Sequence, residues 1–219
     1  MSHHYIVTST GDRAYFHPPW TDAATVSLPW LAHSLACINR FNGHAARPYS
    51  VAEHSLLCCE IAERDLGIRD PGALLAVLLH DAHEAIVGDM TQPLKLHLRW
   101  LSAGRSTYDA AEETAERLVQ DSFGIRAAAR YWRDQIKQCD LTALATERRD
   151  LLPADGGDGW ACLGGINPVT WLELRALGGM TWQDWRQAFT DRVELLQEAR
   201  RLRNDATGGA ATGRDGGHA

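Results

Sequence analysis

The chain has 219 residues, 45% hydrophobic and 23% charged, values that fit one soluble domain with a sizeable core and exclude a low-complexity or fibrous chain. A net charge of −6 argues against a protein that tracks long nucleic acid, though not against a small phosphorylated ligand held by a few local arginines. No apolar run nears the roughly 18 residues needed to span a bilayer, no leader pattern opens the chain, and Cys37, Cys58, Cys59, Cys139 and Cys162 are odd in number without C-x-x-C spacing, so a reduced, cytoplasmic setting is expected.

In chain order, "YIVTS", a Gly11-Asp12 turn signal and "RAYF" predict a hairpin over about 5–16, closed by Pro18-Pro19. Leu31, Leu35 and Ile38 then take helical spacing from Leu28 to about Phe41, with Gly43 as the stop. Ser50 with Glu53 reads as a capping box for a second helix running to Gly67. Asp70-Pro71 pairs an N-cap with a first-turn proline and opens a third helix that ends near Gly88. It is apolar nearly all round before His80, as a central helix would be.

"MTQPLKLH" reads as a loop stiffened by Pro93, followed by two long helices over about 106–122 and 127–150. "PADGGDGW" breaks the pattern, and a Trp-rich stretch leads to a last helix near 181–203. Residues 204–219, small, polar and Gly-rich, are expected to be a disordered tail on a single domain of 1–203. The fold class expected is all-α, a helical bundle with a small N-terminal β-hairpin.

The chemistry gathers at "LLHDAHEAIVGD", residues 78–89. Apolar residues lead straight into His80, Asp81, His83, Glu84 and Asp89. His80 and Glu84 are four apart and share a helix face; Asp81 lies about a quarter turn away, so His80 and Asp81 can grip an ion beside the helix. His54 stands among Val51, Leu56 and Leu57 on the second helix, and Asp140 beside Leu141 and Leu144 on a later one. Two imidazoles and two carboxylates from three helices make a mixed nitrogen and oxygen shell for a divalent cation, which would compensate their burial.

The order His54, His80-Asp81, Asp140, together with "CINRFNGHAARPYSVAEHSLL", "LLHDAHEAIVGDMTQPLK" and "CDLTALATERRDLL", resembles the HD superfamily of metal-dependent phosphohydrolases. The likeness is greatest to its 5′-deoxynucleotidase branch of phage and prophage type, over residues 35–152. That resemblance implies an HD-domain bundle with His54, His80, Asp81 and Asp140 as ligands of one divalent metal ion: Co, Mn or Zn first, Fe or Mg next. It implies Glu84 next to an attacking water, Asp89 handling protons at the phosphate, and Arg40 binding that phosphate. Phe41 stands where relatives carry a sugar-packing tryptophan.

His44, Arg47 and Lys95 are further candidates for substrate contact, and His83 for an outer-shell role. The reaction implied is hydrolysis of deoxynucleoside 5′-monophosphates to deoxynucleoside and phosphate. The alternatives are release of triphosphate from dNTPs such as dATP, with Arg47 and Lys95 serving the longer chain, and a nucleotide sensor without turnover. The partners expected are a small nucleotide and further copies of the chain, as a dimer or higher, with no long nucleic acid and no membrane.

Overall fold

In the computed structural model of the chain, residues 5–15, 26–154 and 159–211 are described, with side chains up to residue 206 except that of Tyr15. Pro18-Pro19, the middle of "PADGGDGW" and residues 212–219 lie outside them. The described residues carry nine α-helices and one small hairpin, so the fold is all-α. In the hairpin, β1 (Tyr5–Val7) pairs antiparallel with β2 (Arg13–Tyr15), with Tyr5 opposite Tyr15. Gly11, at φ 86°, makes the turn.

Helix α1 (Leu28–Cys37) stops four residues short of the expected end. Arg40 N–H bonds the Tyr49 carbonyl at 2.9 Å and Val51 N–H bonds that of Ile38 at 3.1 Å. That pairing draws the backbone into an extended bridge, and Arg40–Gly43 then forms a 3₁₀ turn. Helix α2 (Val51–Arg64) has the expected cap, Ser50 Oγ accepting from Glu53 N–H at 3.2 Å. The Glu53 carboxylate does not complete the box; it turns to Arg47, with Nη2 2.5 Å from Oε1.

The third expected helix is broken in two. Helix α3 (Pro71–Leu78) starts as predicted, Asp70 accepting from Ala73 N–H at 2.8 Å. Its residues from Ala73 to Leu79 are all buried, each large apolar side chain stabilising the fold by roughly 1.5–3 kcal/mol. It packs against α2 and the later helices α7 (Arg126–Tyr131), α8 (Arg133–Leu151) and α9 (Trp182–Ala211), so it is the central element. It ends because His80 Nδ1 donates to the Val77 carbonyl at 2.8 Å, occupying the acceptor that a continuing helix would offer to residue 81. A turn over 79–83 follows, then α4 (Glu84–Val87), capped by Gly88 at φ 81°, a left-handed conformation that glycine adopts without strain.

"MTQPLKLH" is not a loop. It enters α5 (Gln92–Leu101), where Pro93 sits in the first turn and its missing N–H leaves no helical bond unmade. No residue of α5 is buried: Lys95 and Arg99 hold it to α6 (Thr107–Ser122), while Leu94, Leu96, Trp100 and Leu101 are exposed. The helix expected over 127–150 is interrupted at Trp132, which separates α7 from α8. Helix α9 begins near the expected residue, and its backbone continues to Ala211 rather than ending at 203. Among the described residues no helix is long and apolar enough to cross a membrane.

Candidate metal centre

Packing of α2 on α3 and α8 brings side chains from three separate segments together. The Nε2 atom of His54 lies 3.4 Å from His80 Nε2, 3.4 Å from Asp81 Oδ2 and 3.5 Å from Asp140 Oδ1. His80 Nε2 is 3.3 Å from Asp81 Oδ2. Ligands about 2.1 Å from one ion, at angles between a right angle and the tetrahedral one, are about 3.0–3.4 Å apart, so the mutual spacing of His54, His80 and Asp81 fits donors to one ion, with Asp140 next to His54. His54 is fully buried; the Asp81 and Asp140 side chains keep 19% and 21% exposure, which puts the open side of the cluster at the carboxylates.

Each donor is oriented from behind. His80 Nδ1 donates to Val77, so its Nε2 faces the cluster. His54 Nδ1 lies 2.5 Å from Glu147 Oε1 and donates to it, the carboxylate–histidine arrangement that typically fixes a metal-binding imidazole. Lys137 Nζ donates to Asp140 Oδ2 at 2.8 Å, leaving Oδ1 to point inward. Two imidazole nitrogens and two carboxylate oxygens thus converge at close range, an arrangement that a cation reconciles. The donor set fits a divalent metal of the first transition row.

In the sequence Glu147 reads equally well as part of a block resembling the family and as part of a charged helix end. In the structure it is fully buried, bonding His54, Tyr49 Oη at 3.0 Å and Arg40 Nη2 at 3.3 Å. Burial opposes its charge, but Arg40, His54 and Tyr49 outweigh burial and bring its pKa down to about 2. A second omission is Cys58, one turn after His54 and fully buried, with Sγ 3.5 Å from His54 Nε2. His54, Cys58 and His80 offer donor atoms within 4.8 Å of one another, a group that can hold a metal ion. The seven-residue spacing of Asp140 and Glu147, two turns along one helix face, was the available signal for Glu147; Cys58 had an equivalent one in its i+4 spacing from His54.

Arg40 reaches the same place, Nη1 3.3 Å from Asp81 Oδ2. Its Nε is buried with no hydrogen-bond partner among the described residues, a donor still available to an anion. Glu84, at the start of α4, is 4% exposed, with Oε2 also unpartnered among the described residues. Burial first, then the charges of Asp81 and Asp89, push its pKa well above the ordinary carboxylate range. Asp89 is raised too, by burial above all, while Arg40 and Lys95 pull it back. Asp81 is held well below its usual range: burial opposes this, but His80, His54 and Arg40 prevail.

The remaining candidates divide. Lys95 lies within electrostatic reach of Asp89, with Nζ 2.5 Å from Glu112 Oε1. His83 pairs with the same Glu112, at 3.4 Å, and donates from Nδ1 to the His80 carbonyl, which suits an outer-shell place. Arg47 is committed elsewhere, to Glu53 and the Leu174 carbonyl. His44 is exposed at the end of the 3₁₀ turn. Phe41 stands beside Arg40, whose guanidinium carbon is 5.6 Å from the ring centre.

Fold and site together describe a helical protein in which His54, Cys58 and His80 form a group that could hold a metal ion, with the partly exposed carboxylates of Asp81 and Asp140 beside His54. The chain is 30% identical over 192 residues to the uncharacterized protein YfdR of Escherichia coli (strain K12), covering 87% of this chain and 97% of YfdR, and it belongs to the YfdR family. It is also 48% identical over 73 residues to an uncharacterized protein of Rhodobacter capsulatus, over 32% of this chain and 37% of that one. No family model matches the chain.

Proposed function

We propose that the protein is a metal-dependent phosphohydrolase of HD type that converts deoxynucleoside 5′-monophosphates to deoxynucleoside and phosphate. The observation that carries this reading is the cluster of His54, His80, Asp81 and Asp140 with Arg40 against it. When bound, a divalent ion supplies Lewis acidity and lowers the pKa of water near a phosphoryl group. Arg40, raised well above its ordinary pKa by Glu147 and Asp81 although burial opposes it, stays charged, and with both Nη atoms on those carboxylates it has one donor left for the non-bridging oxygens. Its unused Nε is the donor for one of them.

Glu84 and Asp89 handle protons. Their environments raise both pKa values, Glu84 more strongly because it is the more deeply buried. A protonated Glu84 has a proton to give, and the more exposed Asp89 gives it up more readily and can accept one, the division of roles expected of paired carboxylates in unlike settings.

A second reading, release of triphosphate from dNTPs, has one observation in its favour. A cavity of about 340 Å³ beside His80 is lined by Arg117, Arg126, Arg130 and Arg133 over an apolar floor that includes Leu79 and Ile136. Arg47 no longer supports that reading, because its guanidinium is held by Glu53.

The test is incubation of the metal-loaded protein with dNMPs and dNTPs, separating phosphate from triphosphate. Phosphate from dNMPs is the expected product. Triphosphate from dNTPs alone would replace the first reading by the second, and activity surviving Asp81→Ala would overturn both.

A further inference from the structure

Beyond the cluster, one loop between α8 and α9 comes back to the site. Within it Ala161–Leu163 form a 3₁₀ turn. Trp160 lies outside the hydrophobic core, partly exposed, with its ring centre 6.5 Å from that of Phe41 and the planes at 46°. On its own side Trp160 is backed by Arg148, whose guanidinium carbon is 5.2 Å from the ring centre. Two residues further on, the Cys162 thiol lies within electrostatic reach of Lys137, the residue that holds Asp140. The loop therefore lies beside Phe41 and packs on α8, the helix that carries Asp140.

Phe41 is held there at a cost. Phe41 and Asn42 take φ 57° and 50°, left-handed conformations in two successive non-glycine residues. For a bulky residue such a φ is a genuine outlier, and strain of this kind gathers at ligand clamps. The result is a succession of neighbours that starts at the cluster: the Arg40 guanidinium, the Phe41 ring, the Trp160 ring and the Arg148 guanidinium. A cation at the phosphate end followed by two partly exposed rings matches a nucleotide, in which a planar group lies one sugar away from the charge.

We propose that Trp160, with Phe41, forms an aromatic wall that receives the base of a nucleoside 5′-phosphate whose phosphate lies at Arg40. This rests on the phosphohydrolase reading for the phosphate end; the base contact is additional to it. Stacking on a ring is tolerant of base identity, since every base presents a π face. The wall therefore selects nucleotides over simpler phosphate esters without selecting one base strongly.

The test compares a deoxynucleoside 5′-monophosphate with deoxyribose 5-phosphate, which keeps the sugar and phosphate but has no base. In Trp160→Ala the loss of kcat/KM for the nucleotide is expected to exceed that for deoxyribose 5-phosphate by about tenfold or more, and to lie in KM. Trp160→Phe should recover most of it. Equal losses on both compounds would mean that Trp160 only pins its loop, and no loss on either would mean no base contact; both outcomes overturn the proposal.

Equilibrium dialysis of the same two compounds against wild type and Trp160→Ala reads the contact without catalysis. If wild type hydrolyses neither compound, the phosphohydrolase reading fails, while a selective loss of nucleotide binding in Trp160→Ala still upholds the wall. If wild type binds no nucleotide at all, the wall fails.

Discussion

At the scale of single residues, the four metal-ligand candidates were legible because their chemistry conflicts with their surroundings. His54 among aliphatic residues and His80-Asp81 at the end of an apolar run have no reason to be inside unless they hold something. The role of Glu147 was not legible, since "TERRD" reads equally well as a family-like block and as a charged helix end until α8 is seen to bury its two carboxylates, Glu147 and Asp150. Its importance can be measured. In Glu147→Gln an amide replaces the carboxylate behind His54, and metal affinity is expected to fall about 10–100-fold, as for other partners of metal-binding histidines; competition with a chromophoric chelator reads this directly. Glu147→Ala leaves His54 Nδ1, Tyr49 Oη and an Arg40 nitrogen without their buried acceptor, so a stability loss of about 3–5 kcal/mol is expected in denaturant titration. Glu84 makes a prediction in pH. Its folded pKa is raised from an ordinary 4.5, so its contribution to stability is complete below that value and is lost as pH rises through the folded pKa. The metal-free protein should accordingly lose thermal stability as pH rises above about 4.5, and Glu84→Gln should flatten that decline; an identical pH dependence in the two proteins would refute the assignment.

At the scale of elements, the sequence showed where helices start more reliably than where they end. Ser50 and Asp70 cap α2 and α3 as read, because a cap is a local bond between a side chain and a backbone N–H three residues on. The end of α1 is set by the Tyr49 carbonyl, which Arg40 N–H reaches across the following turn, and that of α3 by the His80 ring turning back onto the Val77 carbonyl, a local bond that apolar periodicity does not announce. Helix α5 was missed because proline was read as a breaker when it stood in a first turn. The break between α3 and α4 matters most for chemistry. It lets His80 and Asp81 face α2 while Glu84 starts a new helix with its own direction. A cap mutation tests how far the central helix depends on its local start. Asp70→Ala should cost about 1 kcal/mol, which in a chain of this size lowers Tm by about 2–4 °C, whereas Asp70→Asn, also a good cap, should keep most of that stability. Calorimetry of the two variants side by side checks it.

At the scale of the whole molecule, the cluster joins segments that are far apart in sequence: α2, the turn after α3, and α8. The all-α class was readable from periodicity, but this convergence was readable only through the resemblance, because spacing along a chain does not say which helices pack together. The consequence is thermodynamic. Without a cation, the folded state holds His54 and His80 nitrogens against two carboxylates at 3.3–3.5 Å, with Glu84 and Asp89 close behind. The unfolded chain can separate and hydrate all of them. A metal ion that binds the folded cluster must therefore stabilise the entire bundle, by about 2.7 kcal/mol at a free concentration one hundred times its Kd. At about 2–4 °C per kcal/mol for a chain of this length, that is a rise in Tm of about 5–11 °C. Removing metal by dialysis against a chelator and restoring Co, Mn or Zn should lower and then recover Tm by this amount. Asp140→Ala, which deletes the candidate donor on α8, should reduce the response to added metal even where it remains folded. A Tm indifferent to metal in the wild-type protein would show that the four side chains satisfy one another without an ion. The phosphohydrolase reading would then lose the observation on which it stands.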